Sequence, residues 1–219
     1  DTRVKVTKSG PLPSTDFYTA SAGGRVNSVN GESLTYNANG DRRSDGQNIY
    51  DLDALGRVVT VRDASTGTVR ATFGYDALSR PSNRIEGAGS VTRWFAGQVC
   101  IQEKRTPSLA LTQYTPHPLW PEVPVQVRSL NPLYLHPDLA LSSSCLTDAS
   151  GKAIEWYRFA PLGGVSVRDA GGAPTPAGDA QNPPLWHGMP YFASAERFLA
   201  RERWYDPRQG LFLSRDPIQ

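Results

Sequence analysis

Gly56-Arg57-Val58-Val59-Thr60-Val61-Arg62-Asp63, then Ala64-Ser65-Thr66-Gly67, then Thr68-Val69-Arg70-Ala71-Thr72-Phe73-Gly74-Tyr75-Asp76: this stretch decides the class of the fold. β-branched and aromatic residues fill the two outer runs, and a Ser/Thr/Gly turn separates them, which predicts an antiparallel hairpin. The same grammar extends in both directions. Short apolar runs alternate with Gly, Asn, Asp and Pro, and no sustained helical stripe interrupts them except at Phe192–Trp204, whose spacing also fits a short helix. The expected fold class is all-β.

Composition points the same way. Twenty Gly and 18 Pro among 219 residues exceed average usage, roughly 12% for the pair, without reaching low complexity. Hydrophobic residues are 38%, but Phe 7, Tyr 9 and Trp 5 give large burial per side chain, so an aromatic, turn-bounded core is expected. The net charge is +2 with both signs interspersed, and this balance nominates neither a nucleic acid nor an anionic membrane as partner. No run of 18 apolar residues exists to form a membrane-spanning helix. The chain begins at Asp1 and its one methionine is Met189, so a processed product or fragment is expected. Cys100 and Cys145 allow one disulfide and are too few for a disulfide scaffold or a four-thiolate zinc site.

An internal repeat emerges when segments are laid over one another. Leu52-Asp53-Ala54-Leu55-Gly56-Arg57-Val58 aligns with Tyr75-Asp76-Ala77-Leu78-Ser79-Arg80-Pro81, and Tyr36-Asn37-Ala38-Asn39-Gly40-Asp41 is a weaker third copy. In each, an apolar or aromatic residue ends a strand and Asp or Asn opens a turn. Gly or Ser follows three residues on, where the last residue of a type I turn belongs.

These residues resemble the YD repeat of the Rhs and teneurin-like superfamily, Tyr-x-Tyr-Asp-x-x-Gly-Arg followed by a strand. Trp204-Tyr205-Asp206-Pro207-Arg208-Gln209-Gly210-Leu211-Phe212-Leu213-Ser214-Arg215-Asp216-Pro217-Ile218 resembles the signature of the Rhs-repeat-associated core. Leu146–Gly151, Trp156–Gly163 and Asn182–Gly188 follow that family's order, so the resemblance spans about Gly24 to Ile218. It implies an antiparallel YD-repeat sheet, a fragment of a spiralling β-shell with long Pro/Gly-rich loops. The expected organisation is an N-terminal extension at 1–23, YD-repeat strands at 24–104 and a truncated repeat-associated core at 105–219. It also favours two strands over a helix for Phe192–Trp204.

Departures qualify the resemblance. Leu141 stands where the family's His-x-Asp-x-x-Gly-Ser segment, here His136 to Ser142, has glycine, so the backbone there must avoid positive φ or accept strain. Leu211 replaces an Arg, and Gln219 stands at a glycine position. In toxin-carrying relatives this core acts as an intramolecular aspartyl protease that frees a C-terminal toxin, because two neighbouring acids can share a proton and divide the base and acid roles. Asp216 matches the first of those aspartates, with Arg215 beside it, and the partner aspartate lies beyond Gln219. Asp206 and Asp216, each followed by Pro, also read simply as turn openers.

Other chemistry is sparse. His117, His136 and His187 are far apart and read as ordinary hydrogen-bonded or surface histidines; Ser142-Ser143-Ser144 reads as a polar turn; Gly87-Ala88-Gly89, Gly163-Gly164 and Gly171-Gly172 read as turns, not phosphate cradles. No residue is assigned a catalytic, cofactor-binding or metal-binding role. The Pro-rich stretches Thr106–Pro132 and Ala170–Pro184 read as surface loops, with Trp120 a docking anchor for a neighbouring protein.

The functional expectation is a non-enzymatic structural or interaction protein that packs by edge strands and aromatic surfaces against other polypeptides, secreted or at the cell surface. The alternative is the shell of a polymorphic toxin that encloses a cargo, with Asp216 in an aspartate dyad. A weaker third reading is carbohydrate binding through Trp94, Trp120 and Trp186.

Overall fold

The computed structural model describes residues 2–8, 14–21, 25–121, 123–128, 131–176 and 185–216. Among these, all regular structure is β-strand, in three antiparallel sheets. The first has four strands, Thr2–Lys8 to Glu32–Ser33; the second has fifteen, Thr35–Tyr36 to Pro174–Thr175; the third has five, Leu185–Trp186 to Leu211–Phe212. Within each sheet the spatial order is the sequence order. Every connection is therefore a hairpin, and successive turns fall on alternate rims of the sheet.

The predicted hairpin is present as Val58–Asp63 paired with Val69–Tyr75, Val61 facing Ala71. Alternation turns Val61, Ala71 and Phe73 to one face, where Tyr50 of the neighbouring strand Asn48–Leu52 joins them, and the register shift beside Val58 brings that residue into the same buried cluster. The C-terminal sheet lays Phe192, Ala195, Leu199, Trp204 and Leu213 on that face. Trp204 sits 4.8 Å from the Phe73 ring and 5.0 Å from Phe192, and its indole N–H donates to Tyr75 Oη at 3.1 Å. A second core gathers Val123, Leu135, Leu146, Tyr157, Val167 and Leu185.

One turn recurs seven times, opened by Asn37, Asp53, Asp76, Asp138, Asp148, Ala160 and Asp169. In each, the fourth residue donates its N–H to the carbonyl of the first, and the first donates its own N–H to the carbonyl of the fifth. The fourth residue has positive φ: Gly40, Gly56, Ser79, Leu141, Gly151, Gly163 and Gly172. Leu141 thus keeps the left-handed geometry at φ 63° and carries the strain that glycine would avoid. Five of the opening aspartates, Asp53, Asp76, Asp138, Asp148 and Asp169, accept the amides of the third and fifth residues on Oδ1. The Arg of the repeat closes the unit. Arg57 binds Asp53 through Nε and Nη2 and lies 4.6 Å over the Tyr75 ring, and Arg80 repeats the arrangement with Asp76 and Phe95. Tyr75 in turn donates to Val58 O at 2.7 Å.

Two expected loops are different in the structure. Thr106–Pro132 contains the strands Leu111–Pro116 and Pro124–Arg128, leaving among the described residues the connections 107–110 and 117–123. Pro116, Pro124 and Pro132 sit at strand ends, where a missing N–H removes no ladder bond. In Ala170–Pro184, Pro174–Thr175 pairs with Val165–Asp169 as an edge strand, and residues 177–184 lie outside the described residues. Phe192–Trp204 is not helical: strands Arg197–Ala200 and Arg203–Asp206 meet across Arg201–Glu202.

Candidate functional site

Asp216, the one candidate acid from sequence, lies in a cleft of 470 Å³. The turns opened by Asn37 and Asp53 form one wall, and Glu202, Arg203 and Ser214–Asp216 form the other. Arg203 pairs with Asp216 at 3.3 Å and stacks on Phe212 at 4.0 Å, which fixes the guanidinium. Asp41, nearly buried, shares the cleft; its Oδ1 accepts the Arg215 amide at 3.5 Å and its Oδ2 accepts from Asn37. Gly40, at φ +87°, lets the Arg215 side chain pass: a Cβ there would meet Arg215 Nε at 2.8 Å. The N-terminal repeat turns thus clamp the segment that carries Asp216. Residues 217–219 lie outside the described residues.

Asp206 does more than open a turn. It is fully buried, and its Oδ2 receives Arg42 Nη1 at 3.1 Å and Arg197 Nη2 at 3.0 Å. Arg197 also binds Asp45, which takes the Tyr50 hydroxyl at 2.5 Å and the Asn48 amide at 2.7 Å. Arg42 Nη1 further donates to Gln209 Oε1 at 2.7 Å, and Arg208 flanks Asp45 at 3.3 Å. Burial alone would raise the Asp45 pKa, but the Arg197 guanidinium, the Tyr50 hydroxyl and the Asn48 amide outweigh it and hold the carboxyl below its ordinary value. Burial beside these carboxylates drives the Tyr50 phenol far above its usual value. This network bolts the start of the fifteen-stranded sheet to the C-terminal signature. Sequence reading missed Arg42, Asp45, Arg197 and Gln209, each a lone polar residue with partners about 150 residues away.

A second charged cluster lies on the sheet. Glu103 is buried between Arg93 at 2.6 Å and Arg105 at 3.2 Å, with Arg84 nearby. Burial, and then Arg93, lowers the Arg84 pKa to about 10.

The other candidates stay apart. Ser142, Ser143 and His187 line a cleft of 320 Å³, but as neighbours of a structural kind: Ser142 Oγ accepts the His187 amide at 3.1 Å, Ser143 Oγ accepts the Leu185 amide at 2.9 Å, and His187 Nδ1 faces Ala140 O at 3.2 Å. Ser142 and Ser143 are therefore buried acceptors, and Ser143 and Ser144 open the strand Ser143–Thr147 where a polar turn was expected. His136 bonds Thr147, and His117 Nδ1 accepts the amides of Leu119 and Trp120. Among the described residues, no three His, Cys, Asp or Glu side chains form a metal-binding group. Cys100 and Cys145 are both free thiols, and burial raises Cys100 to about 11. Of the three tryptophans considered for carbohydrate binding, Trp94 and Trp120 are exposed, whereas Trp186 is packed between Gly163 and Tyr205.

No protein-family profile matches the chain. Curated relatives do, among them the tRNA3(Ser)-specific nuclease WapA of Bacillus spizizenii and the tRNA nuclease WapA of Bacillus subtilis. Each is 26% identical over 201 residues, covering 88% of this chain and 8% of the relative. Among solved structures, TcdB2-TccC3 without its hypervariable C-terminal region superposes with a TM-score of 0.62 at 13% identity, covering 93% of this chain and 12% of that one. The Photorhabdus luminescens Tc holotoxin pore gives a TM-score of 0.62 at 12% identity, with the same coverage. These similarities support the resemblance of the chain to the Rhs/YD-repeat superfamily. The likeness to these solved structures is one of fold, and this chain spans about a twelfth of the length of the curated relatives it matches.

Proposed function

We propose that this chain is a wall segment of an Rhs-type toxin shell, providing sheet surface around a cargo outside the producing cell and no turnover of its own. The observation that carries the reading is the fifteen-stranded meander, which among the described residues has no further strand paired to either edge and has the same turn at seven of its connections. Such a sheet lengthens by adding hairpins without changing its local rules. The nuclease activity in the names of the Bacillus relatives belongs, in this reading, to parts of those proteins that the match does not reach. Asp216 then serves the shell's self-processing site, where the clamp of Gly40, Asp41 and Arg203 positions it for a second carboxylate from other sequence.

The competing reading is a structural subunit at a cell surface that packs against other polypeptides without a cargo. Native mass spectrometry of material from the source separates the two. The shell reading expects the chain within a larger assembly, or a longer continuous chain, that holds a folded cargo. A 23.9 kDa species with no heterologous component contradicts both.

A further inference from the structure

Most of the buried side-chain polar atoms without a hydrogen-bond partner, among the described residues, belong to the network around Asp45 and Asp206. They are Arg42 Nε, Arg197 Nε, Arg208 Nε and Nη2, Gln209 Nε2 and both ends of the Asn48 amide. All except Asn48 Oδ1 are donors. Four of their owners are enclosed: Asn48 and Arg197 are 0% exposed, Arg42 1% and Gln209 3%. Polar groups at that depth are paired in almost every folded protein, so a set of donors gathered in one network marks a site for a group that accepts.

The two carboxylates of the network cannot serve these donors. Asp45 Oδ1 accepts the Gln47 and Asn48 amides at 3.0 and 2.7 Å, and its Oδ2 accepts the Tyr50 hydroxyl at 2.5 Å and Arg197 Nη2. Asp206 Oδ1 accepts the Arg208 and Gln209 amides at 2.9 and 3.3 Å, and its Oδ2 faces Arg42 Nη1 at 3.1 Å and Arg197 Nη2 at 3.0 Å. Each oxygen thus has two donors, one for each lone pair. Arg208 Nη2 lies 3.3 Å from Asp45 Oδ2, close enough to be attracted but out of line for a hydrogen bond. Charge leads to the same place. The guanidiniums of Arg42, Arg197 and Arg208 outnumber the carboxylates of Asp45 and Asp206 by one. The next acids outward are engaged nearer the surface: Glu32 accepts from Gln47 Nε2 at 2.9 Å, and Glu196, 42% exposed, stands 3.9 Å from Arg70. A buried cation left uncompensated is costly.

We propose that this network binds a monatomic anion of the chloride class, held among the unpartnered donors of Arg42, Asn48, Arg208 and Gln209, and that the anion locks the start of the fifteen-stranded sheet to the C-terminal signature. Its ligands come from both sides of that junction: Arg42 and Asn48 lie on the strands Arg42–Ser44 and Asn48–Leu52, and Arg208 and Gln209 on the turn that follows Arg203–Asp206. The donor set selects the occupant. A water molecule would have two hydrogens to donate, and Asn48 Oδ1 is the one side-chain acceptor of the network without a partner. A cation would add to the excess positive charge, and a phosphate would bring more negative charge than the single excess guanidinium balances. Arg208, 30% exposed and tied through Nη1 to the exposed Gln47, forms the way in from solvent. The site does not depend on whether the chain encloses a cargo.

Thermal melts of the purified 219-residue chain test it, with sodium chloride exchanged for sodium methanesulfonate at constant ionic strength. The expected result is a Tm that climbs as chloride replaces the bulkier anion, by roughly 3–6 °C when chloride reaches tenfold over its Kd. Arg208→Gln, at a partly exposed position, removes the excess charge and abolishes the climb, whatever its own starting Tm. Arg43→Gln, which changes an exposed arginine outside the network, keeps it. Crystals of the chain grown in sodium bromide give the direct view: an anomalous peak beside Arg42, Asn48, Arg208 and Gln209. A Tm indifferent to the exchange overturns the proposal. So does a climb that survives R208Q, a climb that R43Q removes as well, or a bromide-grown crystal in which the network holds only water.

Discussion

Asp206→Ala is the most informative single change to the scaffold. It removes the oxygen shared by Arg42 at 3.1 Å and Arg197 at 3.0 Å, together with the Oδ1 acceptor of the Arg208 amide at 2.9 Å. Arg42 keeps Gln209, and Arg197 keeps Asp45 and the Glu196 carbonyl, in a region where both guanidiniums are at most 1% exposed. Two buried carboxylates facing two buried guanidiniums become one against two, and breaking such a pair costs about 3–5 kcal/mol. For a chain of this size that is a fall in Tm of roughly 6–20 °C. Thermal and urea unfolding followed by tryptophan fluorescence read it directly, since Trp204 lies buried in the adjoining core. The same reasoning fixes a sign: Arg42→Met combined with Asp206→Leu costs less than the sum of the two single changes, because neither charge is left alone. A Tm drop below about 2 °C for D206A, or additive costs in the double variant, refutes the reasoning.

Three further outcomes follow from the geometry. Asp45, Asp53, Asp76 and Glu103 are all held below their ordinary pKa values, so their contribution to stability is present above the unfolded-state values near 4 and is lost as pH falls through the lower folded-state values; thermal melts from pH 7 to 3 should be flat above about pH 5 and drop below it, and a rise on acidification contradicts this. Gly151→Ala and Gly163→Ala both place a methyl at positive φ, costing about 1–2 kcal/mol, but only at Gly163 does the new Cβ meet Trp186, at 2.7 Å, so G163A must be the more damaging by urea midpoint. Cys100, with its thiol pushed up to about 11, is about one part in a thousand thiolate at pH 8, so alkylation of the native chain is slow and unfolding accelerates it sharply; rapid native labelling rejects that environment.

The hairpin at 56–76 and the turns at Asp53 and Asp76 were legible because each is local: strand propensity, turn residues and the Asp–Arg pair all sit within a few positions. The Asp138 and Ala160 turns were harder to read as the same unit. Leu141 replaces the glycine in one, and in another Ala160 lacks the carboxylate that organises the rest, yet backbone bonds close both turns in the same way. Prolines misled the reading of 106–132 because composition does not distinguish a loop from a strand whose ends are Pro116, Pro124 and Pro132. Asp216 was identified from the C-terminal signature, but not its surroundings. Asp41 and Gly40 reach it only through the fold, as Arg42 and Asp45 reach Asp206 and Arg197.

The central claim, a wall segment completed by more wall, is tested most directly by cryo-electron microscopy of the assembly purified from its source. The account predicts additional antiparallel strands hydrogen-bonded to an outer strand of the fifteen-stranded sheet, at Thr35–Tyr36 or Pro174–Thr175, with enclosed density for a cargo. Both edges facing solvent around an empty interior contradict it.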